Sequence, residues 1–326
     1  MNIDLNLQLL LPELIVCAAG LAAVVTELLL PAGRRALPVA GTCFAGLAVA
    51  FVLLVVGDHS GVAMRVPGDA APGAPLISGW ISDGFSVFCR QIIAFGGMLL
   101  VLLSVPYTRR MDKGHGEFYG LLLFAIFGVM LVAGVSDFLT LFVCLELVTI
   151  SAFILAAFKR NDLRSTEAGL KYLVIGAVST AILLLGIAFV YGATGSLSFD
   201  HIAAAIGDIG SLGEKVWLLW IGLALVVSGL LFKIGGVPFH VWMPDVYQGA
   251  PTPVTAFLAT ASKAAGLILF VRIGTTLLGP AEQASGDVSL VALLGTVAVL
   301  TLLFGTLAAI PQRTIKRLLA YSSIGH

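Results

Sequence analysis

Long apolar runs separated by short polar stretches repeat along the whole chain. Bilayer thickness is the ruler for reading them: about 20 mostly apolar helical residues cross a hydrocarbon core of ~30 Å. Nine runs meet that length, near residues 8–30, 36–57, 80–105, 118–135, 137–158, 168–193, 216–243, 252–278 and 288–311. The seventh is interrupted, because Pro238 removes a backbone donor and its ring clashes with the preceding turn. A tenth run opens after Lys316, and the sequence stops at His326 before that helix could cross, so the expectation is a C-terminally truncated record. The predicted fold is an all-α polytopic membrane protein with about nine complete transmembrane helices, the start of a tenth, and a discontinuous seventh helix. Residues 58–79, rich in Gly, Pro and Asp, read as an irregular loop, and 195–215 as a short helix lying on the membrane surface.

Composition agrees with this pattern. Of 326 residues, 59% are hydrophobic and 11% charged, against about 25% charged in soluble domains. Lysine and arginine in short loops set orientation. Loops after the first, third, fifth and ninth spans hold Arg34, Arg35, Arg109, Arg110, Lys113, Lys159, Arg160, Arg164, Arg313, Lys316 and Arg317, whereas the alternate side holds Arg65, Lys215 and Arg272. The basic loops are therefore expected in the cytoplasm and the N-terminus outside. No basic segment precedes the first run, which argues for a retained helix over a cleaved signal. Cys17, Cys43, Cys89 and Cys144 lie singly in apolar runs and read as small buried hydrophobes. No nucleotide-binding glycine loop, metal-ligand spacing or mid-helix histidine pair is present, so no redox centre, cofactor site or metal site is expected in this chain.

Where the remaining charge sits changes the picture. A lysine at the bilayer centre costs about 2.5–3.5 kcal/mol even on lenient insertion scales. Glu146 stands nine residues beyond Asp137, about 13–14 Å along a helix, which is the middle of the fifth span. Lys263, ten residues after Pro253 and nine before Arg272, is at similar depth. Thr252, Ala256, Thr260 and Lys263 are spaced to share one helix face, expected to look into protein or water. Lys233 lies just before the interruption: a discontinuous helix buries it beside freed carbonyls, while a helix ending there lets it snorkel to the surface. Lys171, near the start of the sixth span, is open to either a snorkelling or a functional role. Arg90 calls for a structural partner or a lipid headgroup. Glu13 and Glu27 are expected at the interface, and Asp137 and Asp245 at helix termini or loops. Glu146 and Lys233 alone could be a structural ion pair. Lys263 adds a third buried charge with no spare carboxylate, and a buried amine that loses and regains its partner can bind and release a proton.

Three passages carry a resemblance: LELVTISAFILAAF, VPFHVWMPDVYQGAPTPVTAFLATASK and QRTIKRLLAYSSIGH. Together they resemble the antiporter-like membrane subunits of respiratory complex I, with wording nearest to the subunit N type. Residues 115–326 carry the motifs, and 1–114 match in helix layout only. The resemblance implies three segments: N-terminal helices one to three (1–114), a first antiporter-like five-helix repeat (115–278), and the start of a second, inverted repeat (279–326). It implies a proton-translocating subunit of NADH:quinone oxidoreductase in a bacterial inner membrane, with other membrane-arm subunits, lipid and protons as partners and no nucleic acid. Flavin, iron–sulfur clusters and quinone would sit in partner subunits. Glu146 and Lys233 would form the first proton-transfer pair beside the break at Pro238, Lys263 would pass the proton on, and Lys171 would be a further transfer lysine. Two alternatives stay open: a subunit of a multisubunit cation/proton antiporter or membrane-bound hydrogenase, or a non-pumping scaffold whose buried charges fix packing.

Overall fold

A computed structural model describes residues 4–5, 7–31, 35–57, 61–65, 79–284 and 290–326. Helix is the outcome that the sequence forces, since no water in hydrocarbon can satisfy open N–H and C=O groups. Among the described residues nine helices are long and apolar enough to cross a membrane, so the chain is a multi-pass membrane protein. The first segment, a strand β1 (Asp4–Leu5), is followed by α1 (Leu11–Leu29) and α2 (Ala36–Val56), and two strands, β2 (Gly61–Arg65) and β3 (Trp80–Ser82), lead into α3 (Gly84–Thr108). Then come α4 (His115–Val132), α5 (Phe138–Ala156) and the long α6 (Leu163–Thr194).

The 58–79 loop is not wholly irregular. β2 pairs antiparallel with both β1 and β3, making a small sheet of order β1-β2-β3 at one end of the bundle. Pairing gives the loop backbone its hydrogen bonds where no helix can form. The rest of that loop, 58–60 and 66–78, lies outside the described residues, as does Arg34.

The 195–215 stretch is helical as expected: α7 (Phe199–Gly207) runs into a 3₁₀ turn, Ile209–Lys215. Its apolar residues Phe199, Ile202 and Ile206 are buried against the bundle. The seventh span is divided into α8 (Val216–Ile234) and the seven-residue α9 (Met243–Gly249). The eighth span strings together α10 (Thr252–Phe257), a π-helical turn (Leu258–Ser262), α11 (Lys263–Ile273), a second π turn (Gly274–Leu278) and α12 (Gly279–Ala284). Two helices close the chain, α13 (Leu290–Ala309) and α14 (Ile315–Gly325), the latter being the predicted opening of a tenth span.

Aspartates start several helices by accepting otherwise orphaned N–H groups. Asp83 accepts from Ser86 at 2.8 Å and Asp137 from Thr140 at 2.8 Å, which makes Asp137 the helix-terminus carboxylate anticipated. α4 uses a more distant cap. Glu27 on α1, expected at the interface, is instead buried and accepts the N–H groups of Gly114 (2.9 Å), His115 (3.1 Å) and Gly116. An uncapped helix start leaves donors that need a partner, and a carboxylate also complements the helix dipole.

Two further carboxylates hold arginines. Glu13, also expected at the interface, is fully buried and pairs with Arg90 at 3.1 Å, so Arg90 has the structural partner it called for. Arg90 additionally donates to Leu9 O at 3.2 Å and lies 5.0 Å from the Trp80 ring centroid. Arg272 grips Asp83 through both terminal nitrogens at 3.1 and 2.9 Å and donates to Ala133 O at 2.7 Å, tying α11 to α3 and α4. Burial alone would raise the Asp83 carboxyl, but the Arg272 guanidinium and the Ser86 N–H hold it below the usual carboxylate range.

α6 and α8 approach closely through Gly186 and Gly222. A Cβ on Gly186 would lie 2.7 Å from Val226 N and 2.8 Å from Gly222 O. Small residues at such crossings are how apolar helices gain contact when lipid gives no hydrophobic driving force. All four cysteines are free, and three of them are buried.

Candidate functional site

The break in the seventh span starts before its proline. α8 ends at Ile234 because Gly235 turns left-handed (φ 77°), and Gly236 N–H returns to Leu231 O at 2.8 Å. Pro238 sits in the turn that follows, with a cis bond to Val237. The indole of Trp242 then donates to Phe232 O at 3.2 Å, so one freed carbonyl is satisfied from inside the protein. This is the irregular backbone that membrane interiors tolerate only when it is buried in protein or lines a cavity.

Lys233 occupies the last turn of α8 and is 5% exposed, which excludes snorkelling out of the protein. Its Nζ donates to Thr149 Oγ1 at 3.1 Å. Thr149 is one turn along α5 from Glu146, and its hydroxyl donates in turn to Leu145 O at 2.5 Å. Glu146 is half-buried and accepts from Thr180 Oγ1 of α6 at 2.8 Å. No salt bridge within 4.0 Å joins Glu146 to Lys233 among the described residues, although the carboxylate is close enough to act on the ammonium electrostatically. Thr149 therefore holds the Lys233 ammonium one turn away from Glu146, a contact that its position on the same helix face as Glu146 could have signalled.

Lys263 opens α11 directly after the π turn. It lies eleven residues beyond Thr252, about 16 Å along a helix. Its Nζ donates to Ser323 O, with Ser323 Oγ at 3.4 Å, so α14 supplies its partner and no carboxylate does among the described residues. The expected stripe holds together but looks outward: Thr252 and Thr260 are exposed on this chain and Ala256 and Lys263 half-buried, while Thr255 and Ser262 are buried. Only part of the anticipated polar face therefore reaches the interior.

Lys171 is apart from these groups. Its side chain is 41% exposed and pairs with Glu167 at 2.7 Å and Asp245 at 2.8 Å. Asp245, in the first turn of α9, also accepts from Arg317 of α14 at 3.0 Å. This network joins α6, the broken helix and α14 at the end of the bundle that carries the basic loops. Lys171, followed by Arg317, holds the Asp245 carboxyl below its ordinary value despite partial burial.

Two residues absent from the sequence expectations complete the interior. Tyr172 on α6 and Tyr247 on α9 are both fully buried. Tyr172 stacks on Trp242 with ring centroids 4.5 Å apart and 14° between planes. Each has a hydroxyl without a direct hydrogen-bond partner among the described residues. A tyrosine inside an apolar run was the available signal, but a ring at helical spacing reads first as core. Among the described residues no group of three or more His, Cys, Asp and Glu is placed to hold a metal ion.

The chain matches the family described as NADH:quinone oxidoreductase/Mrp antiporter, TM over residues 135–326. It belongs to that family. The match covers α5 to α14, the part of the chain that holds Glu146, Lys233 and Lys263. A curated member from Rhodospirillum rubrum, NADH-quinone oxidoreductase subunit N, is 42% identical over 260 residues, which is 79% of this chain and 52% of that protein. A chain of respiratory complex I from Thermus thermophilus superposes with TM-score 0.72 at 32% identity, covering 97% of this chain and 62% of that one. A chain of a membrane-bound sulfane sulfur reductase, an archaeal respiratory membrane complex, superposes with TM-score 0.79 at 28% identity, again covering 97% and 62%. The chain thus spans between about half and three-fifths of the length of the family members it matches.

Proposed function

We propose that this chain is a proton-translocating subunit of the membrane arm of an NADH:quinone oxidoreductase. It would be part of a translocase whose electron-transfer centres, flavin, iron–sulfur clusters and quinone, belong to partner subunits. The observation that carries this reading is the placement of Glu146, Lys233 and Lys263 inside a membrane bundle, each held by hydroxyl or carbonyl groups and, among the described residues, not locked into an ion pair. A locked pair serves packing; a lysine on a threonine can exchange its proton as the nearby carboxylate approaches or recedes. Arg90 and Arg272 supply the contrast, since each is clamped to its own carboxylate.

In this scheme Glu146 and Lys233 form the first transfer pair beside the broken helix at Pro238, and Lys263 receives the proton. Lys171, half-exposed at the basic end, is the lysine of the three best placed to exchange with bulk water. The distribution of lysine and arginine supports an orientation with the N-terminus outside and the basic loops in the cytoplasm, and the likeness to subunit N of Rhodospirillum rubrum supports a bacterial inner membrane as its place. The division into helices one to three, a first five-helix repeat over 115–278 and the opening of a second repeat from 279 accompanies this reading.

The test is proton pumping and NADH:quinone turnover in vesicles whose complexes carry Lys233→Ala or Lys263→Ala and assemble normally. Both variants should lose most pumping; full pumping in both would remove the transfer role. The likeness to the sulfane sulfur reductase chain favours a second reading, a subunit of a different ion-translocating membrane complex of the same family. Co-purification with NADH-oxidising subunits separates the two. If the buried charges only fix packing, Glu146→Gln will damage assembly before it damages pumping.

A further inference from the structure

We propose that Tyr172 and Tyr247 form the proton relay between the Glu146–Lys233 pocket and Lys263, acting through their phenolic hydroxyls and bridging water. This rests on the transfer role proposed above for the two lysines. Lys233 reaches Thr149 and Lys263 reaches Ser323, and among the described residues no hydrogen bond links one lysine to the other. Two tyrosines border the groups that hold both lysines. The Tyr172 ring stands close enough to Glu146 and to Tyr247 to interact electrostatically with both, and its hydroxyl faces Ser262, the residue preceding Lys263. The Tyr247 hydroxyl faces Ser323, the partner of Lys263. The two phenols therefore touch the surroundings of both lysines.

Their hydroxyls are the unusual feature. Both side chains are fully buried, yet neither oxygen makes a direct hydrogen bond among the described residues. A phenol offers one donor and accepts as well, and buried polar groups are almost always satisfied by protein or by water. With Ser262 beside one oxygen and Ser323 beside the other, these hydroxyls and serines supply the polar partners that a buried water needs. Their neighbours keep them in place: Tyr172 is stacked on Trp242, and Thr255 Oγ1 donates to the Tyr247 carbonyl at 3.0 Å.

The transfer balances without a lasting change in either phenol. The Lys233 ammonium releases one N–H proton through water to the Tyr172 oxygen as the Tyr172 O–H proton passes to the next water. Tyr247 repeats the exchange, and the neutral amine of Lys263 takes up the last proton. Lys233 ends neutral, Lys263 charged, and both hydroxyls and all waters are restored.

The test uses membrane vesicles bearing the whole complex with Tyr172→Phe, Tyr247→Phe and the double substitution, beside Lys233→Ala and Lys263→Ala. Phenylalanine removes the oxygen and keeps the ring. Proton pumping should fall by at least about tenfold in each single variant with assembly unchanged on native gels. Because the hydroxyls act in series, the double variant should be no worse than the poorer single. Full pumping in either tyrosine variant, alongside loss in Lys233→Ala, overturns the relay and leaves the lysine pathway standing. Losses that multiply in the double variant also overturn it, since they indicate packing. Full pumping in the lysine variants as well removes the pathway itself. Should a phenylalanine variant fail to assemble, Ser262→Ala and Ser323→Ala give the second measurement, and unchanged pumping in both counts against the relay.

Discussion

Replacing Arg90 separates charges that hold the bundle from charges proposed to move protons. Arg90 and Glu13 are both fully buried, 3.1 Å apart, and join α3 to α1. The guanidinium also contacts Leu9 O, Ser86 O and Ser82 Oγ. Arg90→Met fills similar space but leaves Glu13 without its arginine in an interior that stabilises charge poorly. Breaking one member of such a pair costs about 3–5 kcal/mol, whereas replacing both with apolar residues is often neutral. Arg90→Met with Glu13→Leu should therefore recover most of the loss, giving a coupling energy of at least about 2 kcal/mol. Equilibrium unfolding in detergent followed by tryptophan fluorescence measures it, with Trp80 beside the pair as a local reporter. In assembled complexes the double variant should pump as many protons per NADH as the parent. Stability losses that merely add in the double variant, or a drop in stoichiometry without a drop in stability, would refute the assignment of this pair to structure.

Two other expectations concern the elements around the site. Gly186→Leu should drive α6 and α8 apart, because backbone atoms of Val226 and Gly222 lie 2.7 and 2.8 Å from the new Cβ and cannot swing aside. Overpacking of this kind costs about 1–3 kcal/mol, and since Thr180 and Lys233 ride on those helices, unchanged melting and pumping would contradict the packing described. Asp245 predicts a pH signature: its folded value is depressed by Lys171 and Arg317, so its contribution is complete above the unfolded carboxyl value of about 3.9 and is lost as pH falls through the folded one. The stability gap between the parent and Asp245→Asn, about 1 kcal/mol or less for so exposed a network, should be present at pH 7 and vanish in strong acid. A gap that persists there would show that the carboxylate is not the source.

What the linear chain settled was the helical scaffold and the depth of its charges. Twenty-residue apolar runs leave a backbone in hydrocarbon no alternative to helix, so the nine spans were legible, and so was the placement of Glu146 and Lys263 near the middle of theirs. The interruption beside Lys233 was visible in its Gly and Pro content, although Gly235 ends the helix before Pro238 is reached. Partners were another matter, because they are chosen by packing between helices distant in sequence. Glu13 and Glu27 do stand near the ends of α1, but only the packing of α3 and α4 against it supplies Arg90 and the α4 N–H groups as their partners. The π turn before Lys263 leaves no periodic trace, and only packing shows that Ser262 faces inward and Thr260 outward. Tyr172 and Tyr247 look like ordinary core rings until the fold buries their hydroxyls beside Ser262 and Ser323 with no direct hydrogen bond among the described residues. Local free energy dictates where a helix must form; only the assembled bundle dictates which polar atoms meet inside it.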